Sequence, residues 1–272
     1  MSNPDLDPET LDRYARQIVM DDVGPAGQAQ LRGGSVLVVG VGGLGSPVTQ
    51  YLAAAGVGRL GLVDGDVVER SNLQRQVIHG TDDIGRPKVD SAAEFVADLN
   101  PDVTVETHEI TLGPDDATAL IEDYDVVVDA SDNFPTRYLL NDACALAETP
   151  LVHGAVYRFE GQVTTFDGSG PCYRCLFPEA PPDGAVPDCA TAGVLGVLPG
   201  TIGTIQATEA IKQLLGIGDS LVGRLLQYDA RSLTTETIPF DARSDCPLCG
   251  ENSEIQSLEN VTYEDSCSVT AE

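Results

Sequence analysis

Lysine is scarce in this sequence, and basic side chains are far outnumbered by acidic ones. Only Lys88 and Lys212 carry an ammonium group, and with thirteen arginines they face 43 acidic residues, a formal charge of −28 over 272 residues. Such a chain has no positive footprint for phosphate backbones, which excludes a bare nucleic-acid binder. Disorder is excluded as well. Apolar runs recur from Ser35 to Tyr228, and 42% of the residues are hydrophobic, enough to fill one large α/β domain or two small ones. The acidity fits a high-salt cytoplasm, where screening weakens self-repulsion and carboxylates keep the surface hydrated. No apolar stretch reaches the length of a bilayer crossing and no signal peptide opens the chain, so a cytoplasmic protein without a membrane role is expected. The three histidines, His79, His108 and His153, show no triad spacing. There is no internal repeat.

Hydrophobic periodicity then orders the chain. Residues through Leu31 read as helix broken at Pro25 and Gly27, with Arg13 and Arg16 one turn apart. SVLVVG at 35–40 is a buried strand, and Ser46-Pro47 has the form of a cap and first turn for a helix through Ala55. Further strands are expected at 59–64, 103–109 and 125–130, with a helix at 86–99 between the first two. Strands alternating with helices predict a doubly wound, Rossmann-like, mainly parallel sheet. LVHGAV, a Glu160-Gly161 turn and GQVTTF predict an antiparallel extension, followed by an irregular Cys-rich crossover at 171–200, a helix at 201–215 and a strand at 225–229. One domain is expected over 1–250, with a helical arm at 1–33 and an acidic, disordered tail at 251–272.

The loop Gly40-Val41-Gly42-Gly43-Leu44-Gly45 lies between a strand and a helix, where backbone amides and a helix N-terminus approach phosphate. Asp64, at the end of the next strand, is placed to accept from a ribose. Alone, these features favour an NAD-dependent oxidoreductase. The residues beyond Asp64 favour a triphosphate instead: Ser71-Asn72-Leu73-Gln74-Arg75-Gln76 and Arg86-Pro87-Lys88 bring cations and amides to the same sheet edge, where a departing pyrophosphate needs them. Arg75 and Lys88 have the alternative of pairing with surface carboxylates. Asp132 sits just beyond the strand DVVVDA and suits either a magnesium ion or a helix cap ahead of Pro135.

The combination GVGGLG, LVDGDVVERSNLQRQ, GRPKVD and DASDNFPTR resembles the MoeB/ThiF/ubiquitin-activating family from about Leu11 to Gly250. The resemblance implies adenylation of the C-terminal glycine of a small ubiquitin-like β-grasp modifier or sulfur carrier ending in Gly-Gly. By it, Gly43, Asp64, Ser71, Asn72, Arg75, Lys88, Asp132 and Asn133 contact ATP and Mg2+, with Leu73 and Gln74 in the same stretch. It also implies that Arg16 reaches the nucleotide of a neighbouring subunit, hence a homodimer. The outputs it implies are protein conjugation, or a thiocarboxylate for tRNA thiolation and molybdenum-cofactor synthesis with sulfur from a separate sulfurtransferase. A scaffold that binds a modifier without activating it would lack these nucleotide-handling residues.

Seven cysteines in a cytosolic chain point to metal or catalysis before disulfides. Cys172-x-x-Cys175 and Cys246-x-x-Cys249 have the knuckle spacing of a closed, structural Zn2+ site if the two pairs meet in space; redox pairs are the alternative. The family resemblance implies that they meet. Cys189 belongs to neither knuckle. It is either a small buried hydrophobe or, as the resemblance implies, the nucleophile that takes the acyl group as a thioester. Cys144 and Cys267 carry no pattern.

Overall fold

The computed structural model describes residues 6–180 and 193–263. In chain order the elements are α1 (Pro8–Arg13), α2 (Ala15–Ile18), α3 (Gly24–Gly33), β1 (Ser35–Val39), α4 (Gly45–Ala55), β2 (Arg59–Val63), α5 (Lys88–Leu99), β3 (Thr104–His108), α6 (Pro114–Ile121), β4 (Val126–Asp129) and α7 (Phe134–Leu146). The second half adds β5 (Leu151–Tyr157), β6 (Glu160–Phe166), α8 (Tyr173–Leu176), α9 (Val197–Leu215), β7 (Arg224–Asp229) and β8 (Thr234–Pro239). The strands form one eight-stranded sheet in the order β3-β2-β1-β4-β5-β6-β7-β8. β3 through β5 pair in parallel, and β6, β7 and β8 add on as antiparallel neighbours. This is the doubly wound sheet with an antiparallel extension that the periodicity predicts.

The continuous apolar runs of β1 and β4 follow from helices covering both faces. Val36, Val38, Val126 and Val128 join one core with Val48, Leu52, Val89 and Ile202 from α4, α5 and α9. Leu37, Val39 and Val127 turn the other way, toward Ile121, Leu139 and Leu140 of α6 and α7. α9 crosses α4 and packs over β5 and β6. Gly203 makes that crossing close, since a Cβ there would lie 2.5 Å from the Leu44 carbonyl oxygen.

Several local expectations change. Pro25 occupies the first turn of α3 and so starts a helix instead of breaking one, its missing N–H falling where none is needed. Ser46 lies inside α4, its hydroxyl donating to the Gly42 carbonyl at 2.6 Å, and Leu44 stands at the N-cap. Glu160 and Gly161 belong to β6; the reversal falls at 158–159, with Arg158 at φ 53°. α9 begins at Val197, inside the expected crossover. The expected disorder of 251–272 is corrected for its first half: Leu258 is 5% exposed within the α6/α7 core, and the Tyr263 hydroxyl donates to the buried Asp142 at 2.7 Å. Two anchoring side chains hold a segment whose composition is otherwise that of a solvated tail; 264–272 lie outside the described residues.

Leu62→Ala, at a fully buried position on β2, is expected to lower unfolding free energy by about 2–5 kcal/mol in denaturant titrations, against less than about 0.5 kcal/mol for Leu233→Ala on the surface.

Candidate functional site

Parallel pairing of β2, β1 and β4 brings their carboxyl ends side by side, and each continues into a loop carrying expected site residues. The β1 loop makes the tightest turn. Gly40 has φ 91°, and a Cβ on it would lie 2.7 Å from the Ala130 carbonyl oxygen; a Cβ on Gly45 would meet the Gly40 carbonyl oxygen at 1.9 Å. Only glycine fits at either position, so the loop is pressed against the β4 end and delivered to the N-terminus of α4.

Asp64 closes the loop from the side. Its Oδ2 accepts the Val41 amide at 2.8 Å, its Oδ1 accepts the Asp66 amide at 2.9 Å, and Lys88 Nζ stands 3.6 Å from Oδ1. Lys88 is 5% exposed and pairs more closely with Asp66, Nζ to Oδ2 2.7 Å, although the Asp66 side chain is 76% exposed. Lys88 is therefore a buried cation held by carboxylates, one fixed and one exposed to solvent.

Arg75 is placed differently. Ser71 and Asn72 lie in a 3-10 turn, and Arg75 donates to Asn72 Oδ1 at 2.8 Å and to the Ser71 carbonyl at 3.5 Å. It forms no ion pair among the described residues. Its Cδ passes 3.5 Å from where a Cβ on Gly43 would sit, so the guanidinium stem runs alongside the glycine loop. Leu73 is half-buried and Gln74 exposed, the Gln74 carbonyl oxygen 2.2 Å from where a Cβ on Gly196 would sit.

Of the Asp132-Asn133 pair, the cap is Asn133: its side chain accepts the Thr136 amide at 2.9 Å at the start of α7. That leaves Asp132 exposed, with no hydrogen bond or ion pair among the described residues, a carboxylate still available to a cation. Arg16, on α2, is likewise exposed and forms neither a hydrogen bond nor an ion pair with any described residue. Cys189 lies outside the described residues.

Buried groups without a motif are missed by spacing alone. His153 on β5 and Asp129 on β4 meet at 2.7 Å, both fully buried, with Ser131 also donating to Asp129. Burial pushes the His153 pKa down; burial works against the Asp129 carboxylate too, but the hydrogen bonds from His153 and Ser131 and the nearby charges of His153 and Arg137 together outweigh it and hold its pKa below the usual range. The pair locks the end of β4 three residues before Asp132. His79, buried at 6% exposure, touches Ser91 and the Val41 carbonyl. Arg137, 9% exposed, reaches the Ser131 carbonyl at 3.5 Å with its Nε unpartnered. The only signal in the sequence for these residues is a polar side chain inside or beside an otherwise apolar strand or helix.

The two knuckles meet. Cys172, Cys175, Cys246 and Cys249 place their Sγ atoms within 4.8 Å of one another, with contacts of 3.9 Å (172–175), 3.5 Å (172–246), 3.3 Å (175–249) and 3.4 Å (172–249). A zinc tetrahedron with Zn–S of about 2.3 Å has edges of about 3.8 Å, whereas a disulfide needs about 2.05 Å. The donor set therefore fits a closed tetrahedral thiolate site. Burial first, then the neighbouring thiols, push the pKa values of Cys172 and Cys249 up. A metal ion among the four sulfurs would supply the charge that deprotonates them.

The sequence matches the ThiF family over residues 14–248, and the chain belongs to that family. It is 61% identical over 265 residues to the SAMP-activating enzyme E1 of Haloferax volcanii, a match spanning 97% of this chain and 98% of that one. It is 52% identical to the sulfur carrier protein adenylyltransferase of Thermus thermophilus, covering 95% and 97%. A crystal structure of Escherichia coli MccB with MccA-N7isoASN shares the fold at a TM-score of 0.78 and 20% identity, over 88% of this chain and 74% of that one.

Metal analysis of the purified protein is expected to find about one zinc per chain, lost in Cys246→Ser together with several degrees of melting temperature; a metal-free protein of unchanged melting temperature would contradict the site.

Proposed function

We propose that this protein uses ATP to adenylate the C-terminal glycine carboxylate of a small ubiquitin-like modifier or sulfur carrier. The observation that carries the reading is Arg75. In a chain with 43 acidic residues, a guanidinium beside the glycine loop is held by neutral acceptors and by no carboxylate among the described residues, as a cation reserved for an incoming anion would be.

ATP binds across the carboxyl ends of β1, β2 and β4, its phosphates toward the glycine-loop amides and its ribose toward Asp64. A carboxylate oxygen of the modifier attacks the α-phosphorus, the bond to the bridging oxygen breaks, and pyrophosphate leaves. Arg75 and Lys88 stabilise the charge that develops on the leaving group, Lys88 exchanging the mobile carboxylate of Asp66 for phosphate. Mg2+ supplies further charge neutralisation on the phosphates and would be held by Asp132, the carboxylate left free by the Asn133 cap. Arg16 serves the nucleotide of a second subunit, which makes the working form a homodimer with two composite sites. Cys189 then attacks the acyl carbon, releasing AMP and leaving a thioester. Zn2+ in the Cys172/Cys175/Cys246/Cys249 site is structural.

Names of the relatives, an activating enzyme and an adenylyltransferase, support this chemistry. The downstream use is conjugation to proteins, or a thiocarboxylate for tRNA thiolation and molybdenum-cofactor synthesis with sulfur from a separate sulfurtransferase. The setting is the cytoplasm; among the described residues no helix is long and apolar enough to cross a membrane.

ATP–pyrophosphate exchange in molar salt tests the reading. Exchange is expected only with a β-grasp protein ending in Gly-Gly and should fall by about 100-fold or more in Lys88→Ala and Asp132→Ala. In Cys189→Ala exchange should persist while the thiol-sensitive acyl-enzyme band disappears. Absence of exchange with every such modifier, alongside measurable nicotinamide-cofactor binding, would replace the proposal with an oxidoreductase.

A further inference from the structure

Val41 lies in the glycine loop, is fully buried, and is gripped at both ends. Its N–H donates to Asp64 Oδ2 at 2.8 Å. Its carbonyl oxygen lies 3.0 Å from His79 Nε2, and the other ring nitrogen, Nδ1, lies 2.8 Å from the Ser91 hydroxyl. A carbonyl can only accept, so Nε2 carries the ring proton and Nδ1 accepts from Ser91. Burial disfavours the charged ring, consistent with a single proton. Ser91 sits on α5 one turn after Lys88, and Lys88 returns to Asp64 at 3.6 Å. Contacts thus run in a closed ring: Val41 amide, Asp64, Lys88, α5, Ser91, His79, Val41 carbonyl.

The carbonyl of Val41 and the amide of Gly42 belong to one planar trans peptide and point in opposite directions. Holding the carbonyl therefore aims the Gly42 N–H. The next two residues, Gly42 and Gly43, have no side chains with which to restrain that plane, and glycine is free to let it rotate. We propose that His79 is a positioning residue for nucleotide binding, orienting the Gly42 amide through the Val41 carbonyl and tying the loop to the helix that carries Lys88. This rests on the glycine loop being the ATP site. It adds a group that touches neither ATP nor the modifier.

The test measures ATP binding by calorimetry in molar KCl with Mg2+, on the full chain, and KM against kcat in pyrophosphate exchange. His79→Leu is expected to weaken ATP binding about tenfold, the loss of one buried hydrogen bond, with KM for ATP rising to match and kcat staying within about threefold of the parent. His79→Gln, whose amide N–H donates to the same carbonyl, should recover to within about threefold of the parent. A folded His79→Leu with the parent's ATP affinity overturns the proposal, as do equal losses in the Leu and Gln variants, which would make His79 packing alone. Should His79→Leu not fold, Ser91→Ala decides: weaker ATP binding with unchanged kcat supports the ring, and unchanged binding overturns it. A parent that binds no ATP overturns the nucleotide site itself, whereas a parent that binds and a His79→Leu that binds equally overturn the positioning role only.

Discussion

The hydrogen bond from the Val41 amide to Asp64 joins the carboxyl ends of the first two parallel strands, and the geometry of the candidate site depends on it. β1 and β2 are paired along their whole length, Ser35 opposite Arg59 through Val39 opposite Val63, so their ends are in register before any loop is built. Asp64 converts that register into a fixed starting direction for the glycine loop. The same carboxylate has Lys88 at its other oxygen, so backbone geometry and charge placement at this edge are set by one side chain. Removing it would leave a buried amide without an acceptor and an ammonium with only Asp66.

Charge in this molecule is distributed by depth. Exposed carboxylates face water, where salt screens them. Buried ones each hold a specific donor: Asp129 has His153 and Ser131, Asp142 has Arg174 and Tyr263, and Glu209 has Lys212, Thr165 and the Leu221 amide. Asp142 also explains how the four-cysteine cluster is fastened to the sheet domain. Arg174, between the first two cysteines, forms a two-pronged contact with it, and Tyr173 donates its amide to Asn141 next door. The knuckle thus docks on α7 while α7 begins at the Asn133 cap beside Asp132.

Legibility in the sequence tracks the strength of the local physics. The parallel strands are legible because both faces are buried and their residues are apolar without interruption, and the glycine loop because steric exclusion admits no other residue at Gly40 and Gly45. The cysteine knuckles are legible as pairs; their meeting across 77 residues is a tertiary fact that spacing does not contain. Asp132 and Asn133 show the right chemistry without showing which caps and which stays free, since that depends on a single φ/ψ difference at the helix start. His79, His153 and Arg137 escape notice because their partners are backbone atoms and distant carboxylates, for which sequence has no period. Leu258 and Tyr263 escape it for a related reason: two anchors in an acidic segment do not shift its composition.

Both lysines are sequestered, Lys88 against Asp64 and Asp66 and Lys212 against Glu209 and the Asp219 carbonyl, and the chain has no others. Arginine supplies the remaining positive charge of the side chains and is not a nucleophile at physiological pH. An enzyme of the proposed activity makes an acyl group that any nearby primary amine would capture as an isopeptide. With only two lysines, both held in ion pairs, the surface of this one offers that acyl group few side-chain amines to react with, which limits the enzyme's exposure to its own product.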